Sequence, residues 1–238
     1  MANMSRDRPE LILFDAAGTL IEPAHPVEEI YQRAFAGFGW EVDAVDLRRS
    51  FRATFGGLGD PHFSDHADGD AAERAWWREV VRRTGIAVGV EPEGVAFDQC
   101  FDELFEHYAA GSAWSVFPEV MEVLGEIRNR GAKLAVVSNF DRRLHRVLAE
   151  LGLAECFDLV LTSADVSARK PSPILLGEAM NRLGHAPETT RLVGDSASAD
   201  GGAAAAAGVG VYILDRPRTT LQDFTKWLDE DFSKNELA

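Results

Sequence analysis

The 238-residue sequence predicts an α/β protein, a doubly wound parallel sheet with a helical insertion after its first strand. Three observations carry that prediction. Leu11-Ile12-Leu13-Phe14 is an apolar run of strand length that stops at one acid, Asp15, and a Gly18-Thr19 turn, the pattern of a strand buried on both faces. From Val27 to about Tyr108 large apolar residues recur at helical spacing, with no buried-strand pattern. Beyond Pro118, short apolar runs alternate with helical segments closed by glycine, as βαβ units require.

Taken in order, the insertion holds the helical stripes Tyr31, Phe35 and Phe38; Leu47, Phe51 and Phe55; Trp76, Trp77, Val80 and Val81; and Phe97, Phe101, Leu104, Phe105 and Tyr108. Such stripes are helix cores. The adjacent Trp76 and Trp77 point in different directions, which leaves one of them to line a pocket. Gly56 to Asp70 is rich in Gly, Asp and His, but its spacing matches neither a calcium loop nor a zinc motif, and it reads as a solvated loop. The second half gives a helix over Pro118–Arg130, a strand Lys133–Ser138, a helix Arg142–Leu151 and a strand Leu159–Thr162. Then come a helix Pro173–Leu183, a strand Arg191–Gly194, an alanine-rich helix Ala203–Ala207 and a strand Val209–Leu214. A final helix covers Thr220–Asp229, and Glu230 to Ala238 is expected to fray.

Composition bounds the function. At 46% hydrophobic the chain can bury a real core, as one large domain or a domain with an insertion. A net charge of -15 argues against nucleic acid or an anionic membrane as partner, since both need a positive patch. Cys100 and Cys156 are too few and too far apart for a disulfide framework or a zinc site. Met1 to Glu10 is polar, without the apolar core of a signal peptide, so a cytoplasmic location is expected.

Chemistry gathers at the strand ends. The first strand ends in Asp15 and the second in Ser138-Asn139. Lys170 follows the third through Arg169-Lys170-Pro171, and the fourth runs into Gly194-Asp195 and on to Asp200. In a doubly wound, Rossmann-like sheet these ends converge on one crevice. Clustered carboxylates call for a cation, and Mg²⁺ suits a few carboxylates plus water. Lys170 and the Ser138 hydroxyl suit a bound phosphoryl group.

Asp15-x-x-Gly-Thr, a Ser ending the second strand, Lys-Pro before a helix and Gly-Asp-x-x-x-x-Asp, in that order, resemble the haloacid dehalogenase-like hydrolase superfamily. The likeness spans nearly the whole chain. It implies a core of residues 1–21 and 113–238, a helical cap of residues 22–112, and an aspartyl nucleophile, Asp15, that accepts a phosphoryl group and loses it to water. It implies that Asp15, Asp195 and the backbone carbonyl of Ala17 hold Mg²⁺, with Asp200 as a direct or indirect ligand. It implies that Ser138 and Lys170 are catalytic beside Asp15, Lys170 neutralising charge between nucleophile and phosphate. Ser138, the backbone at Asn139, Lys170 and Thr19 are then the substrate-binding positions, with Thr19 holding the turn by hydrogen bonding. The Ser138-Asn139-Phe140-Asp141-Arg142-Arg143 run and the Trp76-Trp77 doublet resemble the branch typified by haloacid dehalogenase-like hydrolase domain-containing protein 3.

One position departs from the pattern. Family phosphatases carry a second Asp two residues after the nucleophile as general acid and base, and here Ala17 stands there. Phosphonoacetaldehyde hydrolase also has Ala at that position but needs a cap lysine for an imine. Lys133, Lys170, Lys226 and Lys234 all lie outside the insertion. The haloacid dehalogenases proper need no metal, and the Asp195/Asp200 pair argues against them. The resulting expectation is a Mg²⁺-dependent hydrolase of a small phosphorylated metabolite. Its rival is a non-catalytic module that binds metal and a phosphorylated ligand or a protein.

Overall fold

The computed structural model describes residues 10–66 and 68–235. The first nine residues, on which the expectation of no signal peptide mostly falls, lie outside that range. So does the end of the tail expected to fray.

The chain opens with β1 (Leu11–Phe14), then β2 (Ile21–Pro23), α1 (Val27–Gly37), α2 (Ala44–Gly57), α3 (Gly69–Ala87), α4 (Gly94–His107) and β3 (Trp114–Val116). It continues with α5 (Val120–Asn129), β4 (Lys133–Ser138), α6 (Arg143–Glu150), β5 (Leu159–Thr162), α7 (Ser163–Val166) and α8 (Ile174–Leu183). Then follow β6 (Thr190–Gly194), α9 (Asp200–Ala207), β7 (Gly210–Ile213) and α10 (Leu221–Asn235). The last helix runs six residues past the Asp229 limit read from the sequence. The short β2 and β3, which pair as a separate two-stranded sheet, and the single turn of α7 are not in the sequence reading.

The chain divides into two compact units. The first comprises residues up to Glu22, Val116–Phe140 and Leu151 onward; the second is Pro23–Ser115 with Asp141–Glu150. The boundaries read from the sequence placed that last stretch, which contains α6, in the core.

In the first unit the strands lie in the order β5-β4-β1-β6-β7, every neighbouring pair parallel. The chain moves outward from β1 to β4 and β5, then returns to β1's other side for β6 and β7. The C-terminal end of β1 is therefore the topological switch point, where open α/β sheets leave a crevice. The two-residue period of a strand sends alternate side chains to opposite faces. Leu11 and Leu13 pack with Leu175, Leu176 and Ala179 of α8 and Ala203 and Ala204 of α9. Phe14 faces the other way and meets Phe157 and Phe224 edge-on. Removing so large a buried ring costs about 3–5 kcal/mol in typical cores.

In the second unit α1, α2, α3 and α4 bury their stripes on one another around Tyr31, Phe35, Leu47, Val81, Phe97 and Phe101, except that Phe55, expected in the core of the second stripe, is exposed at the end of α2. Trp76 is buried and its Nε1 donates to the Gly59 carbonyl at 2.6 Å. Trp77 packs against the unit's core, and its ring N–H has no partner among the described residues. The Gly56–Asp70 stretch is only partly loop: α2 ends at Gly57, Asp68 caps α3 by accepting from Ala71 N, and Asp70 pairs with Arg142.

Candidate active site

Asp15 is the first residue past β1. Its backbone N–H still donates to the Val193 carbonyl at 2.9 Å, so the central sheet fixes its position. The chain then turns sharply: Leu20 N and Ile21 N donate to the Ala16 carbonyl, and Gly18 N donates to the Ile21 carbonyl at 2.7 Å. Gly18 has φ +88°, and a Cβ there would run into the Asp195 carboxylate. Only glycine meets both conditions at that position.

Carboxylate oxygens of Asp15, Asp195 and Asp200 lie within 4.8 Å of one another. Asp15 and Asp200 are buried and Asp195 is exposed. Gly194 makes this packing possible too, since a Cβ on it would collide with the Asp200 side chain. Asp200 also accepts from Ser196 N at 3.0 Å, which closes the loop between β6 and α9.

Lys170 is buried among these acids. Its Nζ donates to Asp15 Oδ1 at 2.7 Å, Asp200 Oδ1 at 2.5 Å and the Val137 carbonyl at 2.9 Å. An ammonium has three N–H donors, and all three are taken. Burial works against the ammonium's charge, but Asp15 and Asp200 outweigh it and raise the lysine above its ordinary range. Asp15 is raised to about 6 in all: burial raises it most, Lys170 pulls it down, and Asp200 and Asp195 push it up. Partial desolvation at the mouth of the cluster, then Asp200, also raises Asp195. The cluster holds more negative charge than its one lysine neutralises, and its donors are all hard oxygens. Both properties fit a small divalent cation of the Mg²⁺ kind.

The remaining predicted residues differ in what they do. Ser138 is buried at the end of β4, next to Val137. Asn139 follows it, and its side chain grips the lysine's own peptide: Lys170 N donates to Oδ1 at 2.7 Å and Nδ2 donates to the Lys170 carbonyl at 2.9 Å. That leaves the backbone of Asn139 as its ligand-facing option. Thr19 is buried, yet its hydroxyl has no hydrogen-bond partner among the described residues, so backbone bonds hold the turn instead. Ala17 is half-buried in that turn. Arg216, absent from the sequence reading, donates to the carbonyls of Gly18 and Thr19 at 3.2 and 2.8 Å. Nothing in its loop marks it in advance.

A family model described as haloacid dehalogenase-like hydrolase matches residues 9–208. The chain belongs to this hydrolase family. Haloacid dehalogenase-like hydrolase domain-containing protein 3 of Mus musculus is 34% identical over 204 residues, covering 86% of this chain and 81% of that protein. A phosphoglycolate phosphatase of Rhodobacter capsulatus is 27% identical over 174 residues, covering 72% and 70% of the two chains. In fold, the haloacid dehalogenase-like chain is similar to an L-2-haloacid dehalogenase structure, with a TM-score of 0.69 at 20% identity over 93% of this chain and 99% of the other. Among the described residues no helix is long and apolar enough to cross a membrane.

Proposed function

We propose that the protein is a Mg²⁺-dependent phosphohydrolase acting on a small phosphorylated metabolite, with Asp15 as nucleophile. The observation that carries this reading is Lys170, buried and bonded at once to Asp15 and Asp200 beside Asp195. The phosphatase name among the relatives supports it.

One carboxylate oxygen of Asp15 would attack phosphorus as the bond to the leaving group breaks. Water would then cleave the resulting acyl phosphate, releasing inorganic phosphate and restoring the carboxylate. Lys170 contributes through its charge, because its N–H donors are already committed. Ser138 and the Asn139 N–H are the groups offered to phosphoryl oxygens. Asp15, Asp195, Asp200 and the Ala17 carbonyl would hold Mg²⁺, which when bound offsets negative charge and polarises the phosphoryl group. Mg²⁺ binding to the native state should raise the melting temperature.

Ala17 favours a second reading, a module that binds metal and phosphorylated ligand without turnover. Phosphate esters with graded leaving groups, assayed with and without Mg²⁺, separate the two. A hydrolase cleaves at least the activated esters, and Asp15→Asn abolishes that cleavage; a binding module cleaves none. Hydrolysis at wild-type rate in Asp15→Asn would place the chemistry elsewhere.

A further inference from the structure

We propose that Arg216 is a positioning residue for the nucleophile turn, gripping it by its backbone so that the Ala17 carbonyl and Asp195 keep their places around Asp15. Its Nε donates to the Gly18 carbonyl at 3.2 Å and its Nη2 to the Thr19 carbonyl at 2.8 Å. The same Nη2 donates to Glu119 Oε1 at 2.8 Å, and the guanidinium lies 3.5 Å from the centre of the Phe117 ring. Glu119 Oε1 also accepts from Leu221 N at 3.3 Å, at the start of α10. The cation is thus held by an acid on the same Nη2 and by the face of a ring while its fork reaches the turn. A planar guanidinium can bond two adjacent carbonyls and a carboxylate at once, whereas a lysine ammonium, a compact point charge, cannot reproduce that fork.

The turn needs such a grip. The Thr19 hydroxyl bonds to nothing among the described residues, so side chains within the turn do not brace it. Gly18 lies so close to the Asp195 carboxylate that a single added carbon would overlap it. A shift of the Gly18-Thr19 peptides therefore moves the turn against one proposed metal ligand and displaces the neighbouring Ala17 carbonyl, another. The hydrogen bonds of Arg216 go to the turn and to Glu119 rather than to Asp15, while its charge also acts on Asp195 and pulls it down. Arg216→Lys keeps that charge and Arg216→Met removes it, and the catalytic half of the assignment rests on the phosphohydrolase reading above.

The test uses Arg216→Lys and Arg216→Met in the full chain, followed by amide hydrogen exchange, the Mg²⁺ dependence of the melting temperature, and p-nitrophenyl phosphate kinetics. Both variants should exchange faster at Gly18, Leu20 and Ile21, whose N–H groups close the turn, with wild-type exchange in the helical unit. The Mg²⁺ midpoint should rise about tenfold or more, the usual effect of losing a group that orients metal ligands. kcat should fall more than KM rises. In a third variant, Arg216→Ala, methylguanidinium should partly restore the Mg²⁺ midpoint and kcat. Unchanged exchange at the turn in folded Arg216→Met would overturn the assignment. So would a loosened turn with wild-type Mg²⁺ midpoint and kcat. A wild-type protein that ignores Mg²⁺ and cleaves no ester overturns the phosphohydrolase reading and the catalytic half with it, and exchange at the turn then decides the positional half alone.

Discussion

Lys170 meets Asp15, Asp200 and a main-chain carbonyl with its three hydrogens, so it can neither donate to a leaving group nor shuttle a proton without breaking a bond. On the proposed phosphohydrolase reading a general acid would have to come from elsewhere, and the position two residues past Asp15 offers only the methyl of Ala17. General acid–base help is worth about 10²–10⁴ in rate. Ala17→Asp should therefore raise kcat/KM for alkyl phosphates more than for p-nitrophenyl phosphate, whose leaving group is already stable as an anion. Full recovery would be about 3–5 kcal/mol of barrier, but a turn shaped around alanine should deliver less. An equal change on both substrate types, in a folded variant that binds Mg²⁺, would show that Ala17 does not mark a lost acid.

At the scale of elements, the acid-bearing strand ends are joined by side-chain ties that arise only in the folded chain. Asn139 at the end of β4 clasps the Lys170 peptide, and Glu119 at the start of α5 binds Arg216 and the first turn of α10. Burial pushes the Glu119 carboxyl upward, but bonds from its own backbone, Arg216 and Leu221 N and the Arg216 charge prevail, and it sits below the usual 4.5. A depressed acid contributes stability above its unfolded value and loses it as pH falls through its folded value. Glu119→Gln should therefore be less stable than wild type near pH 7, by about 1.5–3 kcal/mol for a charged hydrogen bond, and melt at a lower temperature. The gap should close well below pH 4.5, and a gap independent of pH would remove the linkage. These ties also explain what was legible beforehand. β1 and β6 run directly into Asp15 and Asp195 and β4 ends in Ser138, as the sequence displays, and the four helical stripes announce themselves by period. The three-residue β2 and β3 are too short for any period to show. The Thr162/Asp165 pair that starts α7, with Asp165 Oδ2 accepting from Thr162 N at 2.9 Å, matches a capping pattern present in the sequence but not read there. Arg216 and the side-chain role of Asn139 depend on partners brought near by folding, which local pattern cannot reveal.

At the scale of the whole molecule, a net charge of -15 sets the long-range field that any anionic substrate meets. The cations of the site are few and buried, so approach is governed by the surface rather than by Lys170. Salt screens that field, with a Debye length of about 10 Å at 0.1 M. At fixed Mg²⁺, kcat/KM for p-nitrophenyl phosphate should therefore rise as KCl increases from about 0.02 to 0.2 M, a range over which screening tightens. A fall over that range would mean that a local positive field reaches out to the substrate.

The central place of β1 in the sheet also has a consequence for biosynthesis. Leu11 pairs with Lys133 on one side and Thr190 on the other, so β1 is synthesised long before the two strands that enclose it. Until β6 has emerged, one edge of an entirely apolar strand stays open, and such edges recruit other strands. Contacts this distant in sequence also close slowly. Nascent chains arrested before Thr190 should accordingly need holdase chaperones to stay dispersed, while the helical unit, whose four main helices are complete by His107, can already bury its aromatic stripes.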